Sequence, residues 1–229
     1  DGTTVVFDRT GEGPSLVLVG GALNDRGSGT GLASLLAPSF TVYTYDRRGR
    51  GDSGDTPPYA VEREVEDVEA LVAEAGGSAF LMGHSSGAAL VIETAARIGG
   101  ADKIALYEPP YNVDDTRAAI PEDYVAHLDE LIAHDRRGDA VEYFMVTGVG
   151  LPPEAAAGMR GAPFWPALEA VANTLAYDGR VMGFDGPDRS LPFERWKGIT
   201  APALVMDGGA SPAWARNAVQ AVADALPNA

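Results

Sequence analysis

Residues 80–90 read Phe-Leu-Met-Gly-His-Ser-Ser-Gly-Ala-Ala-Leu, and they predict the centre of the fold. An apolar run ends at Met82, a Gly-x-Ser-x-Gly motif follows, and apolar residues at helical spacing come next. This order predicts a strand, a tight turn and a helix, with Ser85 on the turn. A serine on such a turn needs a strained backbone, and the flanking Gly83 and Gly87 lack the Cβ atoms that would collide with the strand or the helix. Ser85 is therefore the predicted nucleophile, and the alternative is a chance match in a chain with 28 glycines.

Strand-like and helix-like patterns alternate on both sides of this turn. Short apolar or β-branched runs predict strands at 3–8, 15–19, 40–45, 79–82, 103–107 and 203–206, and amphipathic spacing predicts helices at 29–37, 61–75, 86–98 and 212–226. The alternation predicts an α/β fold, a three-layer sandwich with a mostly parallel central sheet. Ligands of such sheets bind beyond the carboxyl ends of the strands, where Ala22, Ser85 and Glu108 are expected.

The loop Gly20-Gly21-Ala22-Leu23 follows the buried strand at 15–19 and contains small residues that let a ligand approach the backbone. One interpretation is an oxyanion loop, in which the N–H groups of Ala22 and Ser86 bind a developing negative oxygen. The other is an ordinary glycine turn. Taken alone, the loop does not separate the two.

Composition argues against several classes of function. The chain has 17 Lys and Arg against 33 Asp and Glu, a net charge of −16 that repels nucleic acid and anionic lipid surfaces. It has no cysteine, and its three scattered histidines show no metal-ligand spacing. The apolar runs are far shorter than the roughly 20 residues that span a bilayer, and no signal-peptide pattern opens the chain. We therefore expect a cytoplasmic protein without nucleic-acid or membrane partners, metal or organic cofactor.

The segment Asp46-Arg-Arg-Gly-Arg-Gly-Asp-Ser-Gly54 is a glycine-spaced loop rich in charge. Its three arginines could form an anion site. Asp46 and Asp52 lie beside them as internal partners, so the favoured interpretation is a loop held by ion pairs and by carboxylate-to-backbone hydrogen bonds.

Three of these features together resemble the α/β-hydrolase fold superfamily, in particular its esterase, haloperoxidase-like and epoxide-hydrolase-like branches. They are the Gly-His-Ser-Ser-Gly turn, the glycine-rich loop before it and the pattern Asp46-x-Arg-Gly-x-Gly-x-Ser53. The resemblance covers nearly the whole chain outside 111–190. It implies a hydrolase core at 1–110 and 191–229 and a helical lid at 111–190. With serine in the nucleophile position, it implies hydrolysis of an ester, lactone or thioester through an acyl-enzyme.

The segment 111–190 breaks the strand–helix alternation, as a lid would. Helical spacing appears at 123–135, 140–146 and 166–175, and a polar return loop is predicted at 183–192. A lid excludes water and shapes an apolar pocket for a small acyl substrate. The residues predicted to contact that substrate are Leu23, Tyr111, Tyr143 and Trp165.

The acid and the base of a catalytic triad are less well defined. In many relatives the acid stands where this chain has Ser211, so Glu108 and Asp207 are the candidates; Glu108 is favoured because the run Ile104–Glu108 resembles relatives with an acid there. A serine needs a histidine base, and a carboxylate must orient that histidine. His84 is expected to point away from the serine, and the other two histidines lie on a predicted lid helix. The family places the base after a further strand, so we expect that strand, the histidine and a final helix to follow residue 229.

Two alternatives remain open at this stage. The chain could be a non-hydrolytic or catalytically silent member of the superfamily, such as a ligand binder or a cofactor-free lyase or cyclase. It could also hydrolyse carbon–carbon bonds of diketones, which uses the same triad and is not separated from esterase action by sequence.

Overall fold

A six-stranded sheet forms the centre of the computed structural model, which describes residues 1–98, 100–186 and 191–229. The strands are β1 (Phe7–Thr10), β2 (Ser15–Val19), β3 (Thr41–Tyr45), β4 (Ala79–His84), β5 (Ala101–Tyr107) and β6 (Ala203–Met206). Their order is β1-β3-β2-β4-β5-β6; β1 runs antiparallel to β3, and every other pair is parallel. The predicted α/β class with a mostly parallel sheet is confirmed.

The first strand lies further along the chain than the predicted 3–8. Residues before Phe7 pair instead with the arginine-rich loop: the Gly54 N–H donates to Thr4 O at 2.9 Å, and the Asp46 N–H donates to Val6 O at 3.0 Å. The β-branched composition correctly predicted extended chain before Phe7, but that chain pairs with a loop and not with the neighbouring strand.

Helices cover both faces of the sheet and fill the segment between β5 and β6. They are α1 (Thr30–Leu36), α2 (Val61–Glu74), α3 (Ser86–Arg97), α4 (Tyr124–Ala133), α5 (Arg137–Tyr143), α6 (Pro153–Met159), α7 (Trp165–Val171), α8 (Leu175–Val181), α9 (Phe193–Trp196) and α10 (Ala213–Ala225). The short helices α6, α8 and α9 were not predicted. The helix predicted at 140–146 instead starts at Arg137 and becomes a π-helix over Phe144–Val149. The one predicted at 166–175 consists of α7 and a 3-10 turn and ends where α8 begins.

The main core lies between the sheet and the helices α2 and α3, where Val17, Leu81 and Leu106 are fully buried. A second apolar cluster joins the helices of the 111–186 segment, around Leu128 and Leu175. Within the described residues that segment is without strands, and its assignment as a lid stays a prediction. The loop predicted at 183–192 lies partly outside the described residues.

The opposite sheet face is more thinly covered. Leu16, Leu18 and Val42 pack there against the short helix α1, while Leu204 on the last strand is 58% exposed. Among the described helices, none has the length and apolarity needed to cross a membrane.

Candidate active site

Ser85 stands on the tight turn between β4 and α3, as predicted. Its backbone has φ 56° and ψ −125°, a region that residues with side chains rarely occupy, and its N–H donates to Tyr107 O at 2.9 Å. A Cβ on Gly83 would lie 2.3 Å from Gly87 O, and one on Gly87 would lie 2.2 Å from Val19 O. Both glycines are therefore required for the strand, turn and helix to pack this closely.

The serine faces a cavity of about 630 Å³ at the carboxyl ends of the parallel strands. Ala22, Ser86 and Glu108 also line it, and so do several apolar residues, including Phe144, Leu151, Met182, Phe184, Pro212 and Trp214. A mostly apolar hollow with a few polar groups is the usual form of a small-molecule site. A second cavity, of about 300 Å³, lies on the thinly covered sheet face and does not include Ser85.

The loop after β2 lies directly against the serine. A Cβ on Gly21 would come within 3.0 Å of Ser85 Cβ, so glycine allows this approach. Within the described chain the Ala22 N–H donates no hydrogen bond, and Ser86, as the first residue of α3, has an N–H without an intrahelical acceptor. Both residues line the cavity beside Ser85, and their assignment to an oxyanion hole stays a prediction.

Buried arginines hold this loop in place. Arg50 Nη1 donates to Gly21 O at 2.6 Å and to Asn24 O at 3.1 Å, and Arg47 Nη1 donates to Gly20 O at 3.2 Å. Both arginine side chains are only 1% exposed. The position of the loop therefore depends on side chains from a different part of the sequence.

The predicted ion pairing of the 46–54 loop is confirmed, and so is a carboxylate-to-backbone hydrogen bond, which the Asp52 N–H donates to Asp46 Oδ2 at 3.0 Å, but the predicted ion-pair partners are wrong. Arg47 forms a double hydrogen bond with Glu64, at 2.7 Å for both contacts, and Arg48 does the same with Asp67, at 2.8 Å. The neighbouring carboxylates Asp46 and Asp52 instead bind the Arg26 side chain. Adjacent charges in a tight loop point in different directions, so sequence proximity did not identify the pairs.

Sequence reasoning missed Asp178, which lies on α8 and lines the cavity beside Ser85. Its carboxylate accepts hydrogen bonds from Ser86 Oγ and Arg47 Nη1, each at 2.7 Å, and from Arg50 Nη2 at 2.8 Å. Burial alone would raise the pKa of Asp178, but Arg50 and Arg47 outweigh it and hold the pKa below its ordinary value. Asp178 is a single acid in an apolar helix far along the chain, and no spacing marked it.

Of the two candidate acids, the structure brings Glu108 to the cavity and not Asp207. Glu108 follows β5 with φ 49°, and its Oε1 accepts hydrogen bonds from Ser211 Oγ and, at 3.2 Å, from the Gly208 N–H. Asp207 is exposed and does not line the cavity. Ser211, the departure from the family pattern, thus contacts the carboxylate that could replace the usual acid.

None of the three histidines hydrogen-bonds to Ser85 within the described chain. His84 lines both cavities, with its ring 5.7 Å from that of Tyr107; burial lowers its pKa, and Glu108 partly opposes this. It is more exposed than the predicted packing role implies. His127 packs edge-on against Tyr143, and His134 bonds to Glu130 O on α4.

The four residues predicted to contact substrate do not line the cavity beside Ser85. Tyr111 packs against Trp196, and Trp165 is buried between helices, with its Nε1 donating to Glu169 at 2.8 Å. Leu23 and Tyr143 join the apolar cluster of the 111–186 segment. Aromatic content alone did not distinguish residues that pack helices together from residues at the cavity wall.

The described residues contain no group of three His, Cys, Asp or Glu side chains that could hold a metal ion.

Comparisons with known proteins agree with this architecture. A profile described as the alpha/beta hydrolase family matches residues 16–229. The crystal structure of an alpha/beta hydrolase from Sphaerobacter thermophilus is similar with a TM-score of 0.93 and 56% identity, covering 99% of this chain and 87% of that one. A bromoperoxidase structure from Bacillus anthracis has a TM-score of 0.72 at 18% identity, covering 99% and 85% of the two chains, which shows the shared fold.

Among curated proteins, the chain is similar to an uncharacterized hydrolase, YraK, from Bacillus subtilis. The two are 33% identical over 100 residues, which is 42% of this chain and 37% of that protein. The match therefore spans well under half the length of this relative.

Proposed function

Because the chain belongs to the alpha/beta hydrolase family, we propose that it is a serine hydrolase that cleaves esters, lactones or thioesters through an acyl-enzyme on Ser85. The observation that carries the proposal is the position of Ser85: a strained turn at the end of a parallel strand, facing a cavity that Ala22, Ser86 and Glu108 also line. The expected substrate is a small molecule with an apolar acyl part, encountered in the cytoplasm.

In the first half of the reaction, Ser85 Oγ attacks the carbonyl carbon while its proton passes to a histidine base. The carbonyl oxygen becomes an oxyanion, which the N–H groups of Ala22 and Ser86 stabilise. Removing one donor of an oxyanion hole costs on the order of 100-fold or more in rate. The protonated base then donates to the leaving alcohol or thiol, which leaves the acyl group on the serine.

In the second half, water attacks the acyl-enzyme and the same base takes its proton. Collapse of the second oxyanion releases the acid and returns the proton to Ser85 Oγ. Glu108 is the proposed orienting acid, because its carboxylate lies at the cavity and already accepts two hydrogen bonds. A carboxylate in this position holds one tautomer of the base and stabilises its protonated form.

The proposed reaction needs a histidine base that reaches Ser85 Oγ. In the described chain His84, His127 and His134 make no hydrogen bond to that oxygen, and of the three only His84 lines the cavity. A ring oriented by Glu108 would have to lie in the cavity between that carboxylate and Ser85.

Labelling with a fluorophosphonate probe tests both the nucleophile and the base. The full-length natural protein and the chain of residues 1–229 are incubated with the probe and with 4-nitrophenyl esters, and intact mass is recorded. We expect stoichiometric labelling and ester hydrolysis by the full-length protein, and the result for residues 1–229 shows whether the base lies within them. Ser85→Ala abolishes both activities, whereas Ser34→Ala, which removes an exposed hydroxyl on α1, leaves both unchanged.

One result would locate the base, and two others would favour the alternative functions. Labelling of the 229-residue chain at Ser85 would place the base within it, with His84 as the candidate. A folded full-length protein that neither labels nor hydrolyses any ester, lactone or thioester supplied would favour the ligand-binding alternative, which the lack of a histidine contact to Ser85 also supports. Turnover of a diketone without ester hydrolysis would favour carbon–carbon bond cleavage.

A further inference from the structure

Arg117 lies on the wall of the same cavity as Ser85, in the irregular segment between β5 and α4. Its guanidinium carbon stands 4.2 Å from the centre of the Trp214 ring, and its nitrogens donate to Gly148 O and, at 3.4 Å, to Pro110 O. Burial lowers the pKa of Arg117, and Tyr124 partly opposes this; the residue stays charged at neutral pH.

Arg117 lacks the partner that the other half-buried and buried arginines have. In the part of the chain that the structure describes, it is the one arginine that is not fully exposed and has no carboxylate within the 4.0 Å limit of an ion pair. Arg9 and Arg216 also lack such a partner, but both are exposed to water. In a protein with 33 acidic and 17 basic side chains, a half-buried arginine without an acid is unusual.

The contacts of Arg117 leave much of its hydrogen-bonding capacity unused. A guanidinium has five N–H donors in a planar fork that matches a carboxylate, and here two nitrogens reach carbonyl oxygens, one of them at 3.4 Å. The Trp214 ring holds the guanidinium by a cation–π contact that uses none of its N–H donors. The guanidinium of Arg117 is therefore held in place, but its positive charge has no carboxylate partner among the described residues.

Other charged groups at the cavity do not neutralise Arg117. Asp178 is already bound by Arg47 and Arg50, and Glu108 is engaged by Ser211. The apolar lining also lowers the local dielectric, which strengthens the attraction between this arginine and an anion that enters.

We propose that Arg117 binds the carboxylate of the substrate, so that the preferred esters or lactones carry a second, anionic end remote from the carbonyl that Ser85 attacks. The inference rests on the proposed function and names its substrate class. A cavity of about 630 Å³ has a width on the order of 10 Å, which suits a short chain between the carboxylate and the reacting carbonyl.

A matched pair of esters tests the proposal with the full-length protein. Mono-4-nitrophenyl glutarate carries the carboxylate, and the corresponding 5-amide has nearly the same shape without the charge. For Arg117→Gln, kcat/KM toward the charged ester should fall about 10- to 100-fold, the usual loss for a charged hydrogen bond, while kcat/KM toward the amide changes less than about 3-fold. Arg117→Lys should lie between, because it keeps the charge and loses the fork.

Arg216→Gln is the matched control, since it removes an exposed arginine from α10 without altering the cavity. It should leave both substrates unaffected. If Arg117→Gln lowered kcat/KM equally for both esters, the proposal would be overturned, because a residue that only joins Trp214 to Gly148 structurally would have that effect. An unchanged ratio between the two esters would overturn it as well.

Binding by calorimetry separates this inference from the proposed function. Ser85→Ala protein is titrated with glutarate and with glutaramide. This measurement of binding needs no catalysis. We expect glutarate to bind at least about 10-fold more tightly, and adding Arg117→Gln to remove that preference. If glutarate does not bind measurably or shows no preference, the inference fails; if the preference is present but neither ester is hydrolysed, only the proposed function fails.

Discussion

Asp178 offers the sharpest test of how the site is held together, through the substitution Asp178→Asn. Asparagine has the same size and can still accept the hydrogen bond from Ser86 Oγ, so the change removes little besides the negative charge. That charge faces Arg47 and Arg50, whose side chains are each 1% exposed. The substitution therefore leaves buried cations without their shared anion.

The cost can be worked out from the partners that remain. Arg47 keeps its double hydrogen bond to Glu64, but Asp178 is the only carboxylate in contact with Arg50 within the described residues. Breaking a buried pair by removing one partner costs about 3–5 kcal/mol. For a chain of this length each kcal/mol lowers Tm by about 2–4 °C, so we expect a fall of about 6–20 °C.

Urea unfolding followed by far-ultraviolet circular dichroism measures this free energy, and thermal melts measure Tm. Asp129→Asn is the matched control. Asp129, on α4, binds Arg180 of α8, the helix that carries Asp178, at 2.5 Å, but its side chain is 46% exposed. A surface pair of this kind contributes about 0–1 kcal/mol. The added substitution Arg50→Met should recover part of the loss in Asp178→Asn, since the two sites share one interaction. Equal, small effects of Asp178→Asn and Asp129→Asn would refute the reasoning.

Two further predictions concern the same region. The pKa of Asp178 is lowered in the folded protein, so the stabilisation from its charge is present above its unfolded pKa of about 3.9 and is lost as the pH falls from there through the folded pKa. Between pH 3 and 7, the free energy of unfolding of the wild type should therefore fall more steeply with acid than that of Asp178→Asn. Gly87→Ala should lower the free energy of unfolding in urea by at least about 2 kcal/mol, since the new Cβ would lie 2.2 Å from Val19 O. Gly158→Ala, in open space on α6, is the control and should be neutral or stabilising by up to about 1 kcal/mol. A similar result for the two alanines would contradict the geometry.

The sheet and the nucleophile turn were predictable because their signals are local. Short apolar runs bounded by glycine and proline located five of the six strands within two residues at each end, and the glycines around Ser85 indicated the turn. The strands and the turn are each encoded within about ten consecutive residues. The resemblance of the motifs then indicated the α/β-hydrolase superfamily, which the comparisons confirmed.

The remainder of the site depends on contacts that sequence distance hides. Arg47 and Arg50 were visible as charges, but their acids, Glu64 and Asp178, come from helices that reach them only in the folded chain. The part of the cavity wall that lies outside the predicted motifs was missed for the same reason. Arg117 lies in a segment without periodicity, and Trp214 lies on a helix whose apolar pattern predicted packing.

Asp178 also links parts of the chain that lie far apart: 131 positions separate it from Arg47, and 92 separate it from Ser86. Closing such long loops is slow compared with forming a single strand–turn–helix unit. During refolding, we therefore expect strand–turn–helix units to form before α8 docks and completes the buried charge network. Until then Arg47 and Arg50 would lack the acid that they share, so the loop that they hold beside Ser85 would reach its final position late.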